Sequence, residues 1–393
     1  MAPYKSDYTR NFSKIAMGNM SGVTDVSYFH DYDDIFGNRS FFTFLSEFQR
    51  GQPQLVYVEV TMLIVIMIAA YVTNIILVLV LTRDRQMHNW TNYLIVHLCC
   101  VDILLASAAP FIAAARITQG WTMGSGVCHG LMYTMTLSAT VTMWTMVLIS
   151  IERCHTIVKP FKRGCIYDKL CFAGTLAVVW AACGLYCLPL ALYFKERTFP
   201  LGGNEVVICT LEWPAVGASY IFTIPALLLT FCIPLVVISV NYYRVFKTFW
   251  KSRARLKTRD MPLPSLSTDS RSKERGSPAS VGKHHKNLPR QTSNVDANRT
   301  IRFKATAFSG KDVRVVKVLV MLVVTFFLMW LPVMIMILLI QLDGENFQRH
   351  MLKSHHFVGV LCFTLCNAIL NPVFYGLLNE SNRNGLRKLF IRT

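Results

Sequence analysis

Seven long apolar runs constrain this chain more than any other feature of its sequence. They cover about 57–81, 91–115, 126–152, 170–193, 219–243, 315–341 and 356–378. Carrying an α-helix across ~30 Å of hydrocarbon takes about 20 residues, and each run is long enough. Lipid offers no water to backbone N–H and C=O groups, so each run must close its hydrogen bonds within itself, as a helix. The composition agrees, with 53% hydrophobic residues and a mean hydropathy of +0.39 over 393 residues. The expected fold is all-α: a seven-transmembrane helix bundle, with a short amphipathic helix on the membrane surface at the C-terminus.

The basic residues set the expected orientation. Lys and Arg total 40, and the formal net charge is +18. About 10 of the 40 fall in the N-terminal segment and the loops after runs two, four and six. About 30 fall in the loops after runs one, three and five and in the tail. The positive-inside rule then puts the N-terminus outside and the C-terminus in the cytosol, as expected of a multi-pass protein of the plasma membrane. The short loop after run three (Lys159, Lys162, Arg163, Lys169) points the same way. The N-terminal segment also carries N-glycosylation sequons at Asn11, Asn19 and Asn38, although Asn89, Asn298 and Asn379 begin sequons on the cytosolic side. Residues 1–25 lack the apolar core of a cleavable signal, so the first run is expected to act as the anchor. Basicity confined to cytosolic loops suits anionic lipid and an acidic protein partner, and it is not a nucleic-acid signature.

Three parts follow: an extracellular segment 1–56, expected to be flexible; a bundle over 57–378; and a cytoplasmic tail 379–393. The loop 247–311, rich in Ser, Lys, Arg and Pro, buries too little apolar surface to fold and is expected to be disordered between helical extensions of runs five and six. Basic–Ser/Thr clusters there, such as Arg290-Gln-Thr292-Ser293, are candidate phosphorylation sites or plain linker. In 380–391, Leu386, Leu389, Phe390 and Ile391 oppose Arg383, Arg387 and Lys388, which reads as a helix lying on the inner leaflet.

Polar side chains within apolar runs are costly and are functional candidates by default. Asn74, Asp102, Asn367 and Asn371 are such residues. Asp102 sits in Leu98-Cys-Cys-Val-Asp-Ile-Leu-Leu and needs partners if it is buried. With Thr142 these groups could hold a Na⁺ ion, or they could form a packing network without an ion. No other cofactor is expected. At the end of run three stands Glu152-Arg153-Cys154, and Arg153 could pair with Asp312 at the start of run six. Pro110, Pro189, Pro234, Pro332 and Pro372 each remove a backbone donor and open room for hinges and a cavity. Tyr242 and Tyr375 place phenols near the cytosolic face. Of twelve cysteines, only Cys128 and Cys209 are expected on the oxidising side, which predicts a disulfide between them.

Taken in order, these marks resemble the rhodopsin-like (class A) G-protein-coupled receptors. The likeness covers about 57–391. It rests on Asn74, Asp102 in Leu-x-x-x-Asp, Trp121, Cys128, Glu152-Arg153-Cys154, Trp180, Cys209, Pro234, Tyr242, Trp330-Leu-Pro332 and Asn371-Pro372-x-x-Tyr375. Cys154, Met329 and Met143 depart from the residues usual in that family. The resemblance implies a ligand-binding receptor that activates a heterotrimeric G protein and recruits arrestin. Met135 stands where a monoamine receptor has aspartate, and 356–378 lacks the lysine an opsin needs. Candidate ligand-binding residues are Arg116, Trp121, Met132, Met135, Thr136, Trp213, Phe222, Trp330, Val333, Ile337 and Phe357. Such an apolar, aromatic pocket with one cation, Arg116, at its mouth suits an amphiphile with a carboxylate. The alternative for Arg116 is a snorkelling side chain.

The stretches 133–142, 208–214 and 326–332 resemble the long-chain free fatty acid receptors more closely. That likeness implies a medium- to long-chain fatty acid or similar lipid, and coupling to G proteins of the q class. Glu212 beside Trp213 weighs mildly against a carboxylate ligand, and a neuropeptide is the rival. A transporter or channel would show internal repeats or rings of charge, and neither is seen. No zinc-ligand spacing, nucleophile elbow or phosphate loop suggests an enzyme.

Overall fold

The computed structural model describes residues 41–42, 45, 54–83, 90–158, 169–201, 204–214, 217–259, 310–343 and 354–378. The three sequons, most of the 247–311 loop and the amphipathic tail lie outside the described residues, as do the side chains of 252–259 and 311–315. Seven helices are long and apolar enough to cross a membrane: Gln54–Arg83, Trp90–Thr118, Ser125–Val158, Cys171–Tyr193, Ala218–Lys251, Val316–Ile340 and Ser354–Gly376. We number them as spans one to seven. Polar residues within them do not break them, because hydroxyls bond back into their own helix. Thr73 Oγ1 donates to Ala69 O at 2.8 Å, and Thr145 Oγ1 to Val141 O at 2.7 Å.

Span three is the most buried helix, and spans four and five are the least buried. Span three therefore acts as the central pillar. Leu63, Leu77, Leu94, Ile95, Met143, Met146, Ile149, Leu322 and Leu365 build the core around it. The apolar faces left outward, such as Val65, Val72, Val178 and Leu328, are what a helix needs against lipid tails.

Proline leaves its mark in three spans. Span two runs Trp90–Ala106, turns at Ser107–Ala108 and resumes at Ala109–Thr118, with Pro110 in its new first turn. Pro110 has no N–H for the preceding turn, so the chain tightens locally, with Ala108 N–H bonding Leu105 O at 3.2 Å. Ahead of Pro234, span five widens into a π turn at Leu228–Cys232. After Pro372, span seven ends in a second π turn, Phe374–Leu378. By contrast, span four runs unbroken through Pro189 and span six through Pro332.

The connection between spans four and five is a β-hairpin and not the plain loop expected. Strand β2 (Phe194–Leu201) pairs antiparallel with β3 (Asn204–Glu212), in register from Phe194↔Leu211 to Leu201↔Asn204. The N-terminal segment supplies a third strand, β1 (Phe41–Phe42), against Leu211 and Glu212. The Cys128–Cys209 disulfide ties β3 to the start of span three, with the two Cα atoms 5.6 Å apart.

Candidate functional site

A cavity of about 200 Å³, lined from spans two to seven and the hairpin, opens at the hairpin end of the bundle. Met132, Met135, Thr136, Trp213, Phe222, Trp330, Val333, Ile337 and Phe357 all line it, as the sequence suggested. Aromatic rings pack its wall against one another. Phe222 stacks on Tyr186 with centroids 5.4 Å apart and planes 8° from parallel. Trp213 bridges Phe222 and Tyr193, at 5.4 Å from each. Phe326 stacks on Trp330 at 5.5 Å. Sequence reading missed Tyr186, Phe231 and Phe326, because hydropathy does not tell a cavity-facing ring from a lipid-facing one.

Arg116 and Trp121 are corrections: neither is among the lining residues. Arg116 is 1% exposed and makes four hydrogen bonds. Its guanidinium meets Glu59 in a two-point ion pair, Nε to Oε2 at 2.7 Å and Nη2 to Oε1 at 3.1 Å. Its Nη1 donates to Leu45 O at 3.0 Å and Ser354 Oγ at 2.7 Å. A cation surrounded in this way ties spans one, two and seven to the N-terminal segment. It is neither at the cavity wall nor snorkelling to water. Glu59 was legible as an acid within the first apolar run, and sequence reading passed over it.

Trp121 is a structural anchor. Its backbone N–H donates to Val207 O at 2.6 Å and its indole to Gly124 O at 3.0 Å. Gly120 beside it lets the hairpin approach closely, since a Cβ there would meet Val207 O at a tight 3.2 Å. A second ion pair holds the hairpin next to the cavity: Arg197 Nε donates to Glu212 Oε2 at 2.9 Å, and the Arg197 Nη2 reaches the same oxygen. Glu212 adjoins Trp213 on the wall, so its charge is already matched.

Below the cavity lies the polar network. Asn371 Nδ2 donates to Asp102 Oδ2 at 2.9 Å and to Asn367 Oδ1 at 3.3 Å. Asn74 joins it only indirectly, through bonds to Ala70 O at 2.8 Å and Ala368 O at 2.9 Å. The Thr142 hydroxyl and the amide oxygens of Asn74 and Asn371 are buried without a hydrogen-bond partner among the described residues. Sequence reading also missed His97, which links spans two, three and four. Trp180 Nε1 donates to its Nε2 at 2.9 Å, and Thr145 Oγ1 lies 3.2 Å from its Nδ1.

At the opposite end Glu152 is held by hydroxyls, accepting from Thr91 at 2.6 Å and Thr156 at 3.0 Å. Arg153 stands 3.4 Å from the Glu152 carboxylate. Tyr242 and Tyr375 are buried nearby in the core, and Pro372 lies in the turn before Tyr375. Asp312 is in the helix of span six, but its side chain lies outside the described residues, as do Asn11, Asn19 and Asn38.

The molecule is thus a seven-span helical membrane protein with a buried polar network and an apolar cavity. The family described as 7 transmembrane receptor (rhodopsin family) matches residues 73–375. Free fatty acid receptor 4 of Mus musculus is 31% identical over 367 residues, which is 92% of this chain and 89% of that protein. Neuropeptide FF receptor 1 of Rattus norvegicus is 27% identical over 360 residues, 88% of this chain and 73% of that one. The chain belongs to the rhodopsin family of seven-transmembrane, G-protein-coupled receptors and is not an enzyme.

Proposed function

We propose that this receptor takes a medium- or long-chain fatty acid or similar lipid into the cavity from the outer side of the plasma membrane. It then activates a G protein of the q class and recruits arrestin. The observation that carries this reading is the lining itself: among its residues none is charged, and methionine, leucine and aromatic side chains dominate it. Apolar surface of that kind is stabilised by an acyl chain at about 25 cal/mol for each Å² removed from water. The likeness to Free fatty acid receptor 4 adds to this reading. The disulfide at the hairpin end favours an extracellular N-terminus, since such bonds persist on the oxidising side.

A ligand shifts a conformational equilibrium only through its different affinity for the two states. Here it would act on Trp330 and span six, drawing Asp312 from Arg153, with Tyr242 and Tyr375 supporting the open cytosolic cavity. A sodium ion would favour the resting state at Asp102, whose carboxylate accepts from Asn371, an amide with a buried, unpartnered oxygen of its own. The test is calcium release and arrestin recruitment in cells given fatty acids or a neuropeptide panel. Wild type should respond to lipid, and Met135→Trp, which fills the cavity, should lose the response at equal surface expression. A response to a peptide alone would favour the second reading, which the likeness to Neuropeptide FF receptor 1 supports.

A further inference from the structure

We infer that the cavity selects a long-chain lipid whose head is uncharged and can donate a hydrogen bond, such as a fatty alcohol, a fatty acid amide or a monoacylglycerol, over the ionised fatty acid. This rests on the lipid reading above and names the ligand's polar end. An ionised carboxylate taken out of water needs a matched charge, or it is disfavoured. Among the described residues the wall supplies none. Arg116 and Arg197 are already neutralised, by Glu59 and Glu212 respectively. Lys195 of β2 is exposed and is not a lining residue.

Two neutral hydroxyls of the wall point to the same head. Thr230 Oγ1 donates to Ala226 O at 2.6 Å. Thr364 Oγ1 donates to Met329 O and Val360 O, each at 3.0 Å. Their hydrogens are committed, so each offers a ligand only oxygen lone pairs. At these two hydroxyls a carboxylate, which brings only lone pairs, finds no match. A hydroxyl or an amide N–H does. The buried indole N–H of Trp330 has no partner among the described residues, and it suits the oxygen of the same neutral head. Uncharged donors and acceptors facing one another bind without a counter-ion.

The experiment uses the full-length receptor in lipid nanodiscs at neutral pH and reads thermal stabilisation. The probes share one acyl chain and differ only in head: alcohol, ethanolamide, monoacylglycerol, methyl ester and free acid. The donor-bearing neutral heads should reach half-maximal stabilisation at a concentration ~10-fold or more below that of the acid. Replacing Thr230→Val and Thr364→Val together keeps side-chain shape and deletes both acceptors. In that variant the donor heads should weaken towards the methyl ester, while the ester itself is unchanged. An acid that stabilises as well as or better than the neutral heads overturns the inference and leaves the lipid reading standing. Stabilisation by a peptide and by none of the five lipids overturns the lipid reading itself.

Discussion

At the scale of single residues, Arg116 shows how one charge can be read two ways. Seen alone in the sequence, it is a lone cation near a pocket mouth. In the fold it is one half of a buried pair that also holds Leu45 and Ser354. Removing one partner of such a pair leaves an uncompensated buried charge, a loss of ~3–5 kcal/mol. Arg116→Ala should therefore lower the melting temperature and surface expression of the receptor before any ligand is added. The double substitution Glu59→Leu, Arg116→Met should recover most of that stability in the same thermal assay. A single mutant that melts like wild type would mean that Arg116 carries no structural load. Glu59 was legible as an acid in an apolar run, but its partner was not, because 57 residues separate them and hydropathy reports nothing about facing.

At the scale of elements, the seven helices were legible because lipid forces length, apolarity and internal hydrogen bonding on each of them. The breaks at Pro110, Pro234 and Pro372 were foreseeable as sites and not as kinds: tightening in span two, π turns in spans five and seven. The hairpin was partly legible. Val206, Val207 and Ile208 are β-branched, and Gly202-Gly203 separates them from Phe194–Leu201. Its attachment was legible only through Cys128 and Cys209. Breaking that disulfide with Cys209→Ser should cost about 2–5 kcal/mol, seen as a lower melting temperature under non-reducing conditions. The contact at Gly120 is the second attachment. Gly120→Val puts a branched Cβ against Val207 O and should destabilise the receptor by about 1–3 kcal/mol, whereas Gly126→Val meets open space and should be milder.

At the scale of the whole molecule, the Asp102–Asn371 network lies within a bundle that has an apolar cavity at the disulfide end and a charged cluster at the other. Each part biases the next only if the helices have two arrangements, and the proline sites are where spans two, five and seven can yield. If Arg153 is restrained by Asp312, Asp312→Ala should raise basal inositol phosphate or arrestin signalling, and unchanged basal signalling would remove that restraint. Part of the cavity was legible because Met132, Met135 and Thr136 share a face of span three, as Trp330, Val333 and Ile337 do on span six. The remainder was not, because Tyr186, Phe231 and Phe326 look the same in sequence whether they face lipid or cavity.

The most direct measurement is photolabelling of the intact receptor with a long-chain lipid that carries a diazirine along its chain, followed by mapping of the labelled residues. Labels should fall on lining residues such as Met135, Met143, Phe231 and Leu361 and should be lost when excess unlabelled lipid is present. Labels confined to outward-facing residues such as Val65, Val72 and Val178, and unaffected by competitor, would contradict a lipid ligand in the bundle.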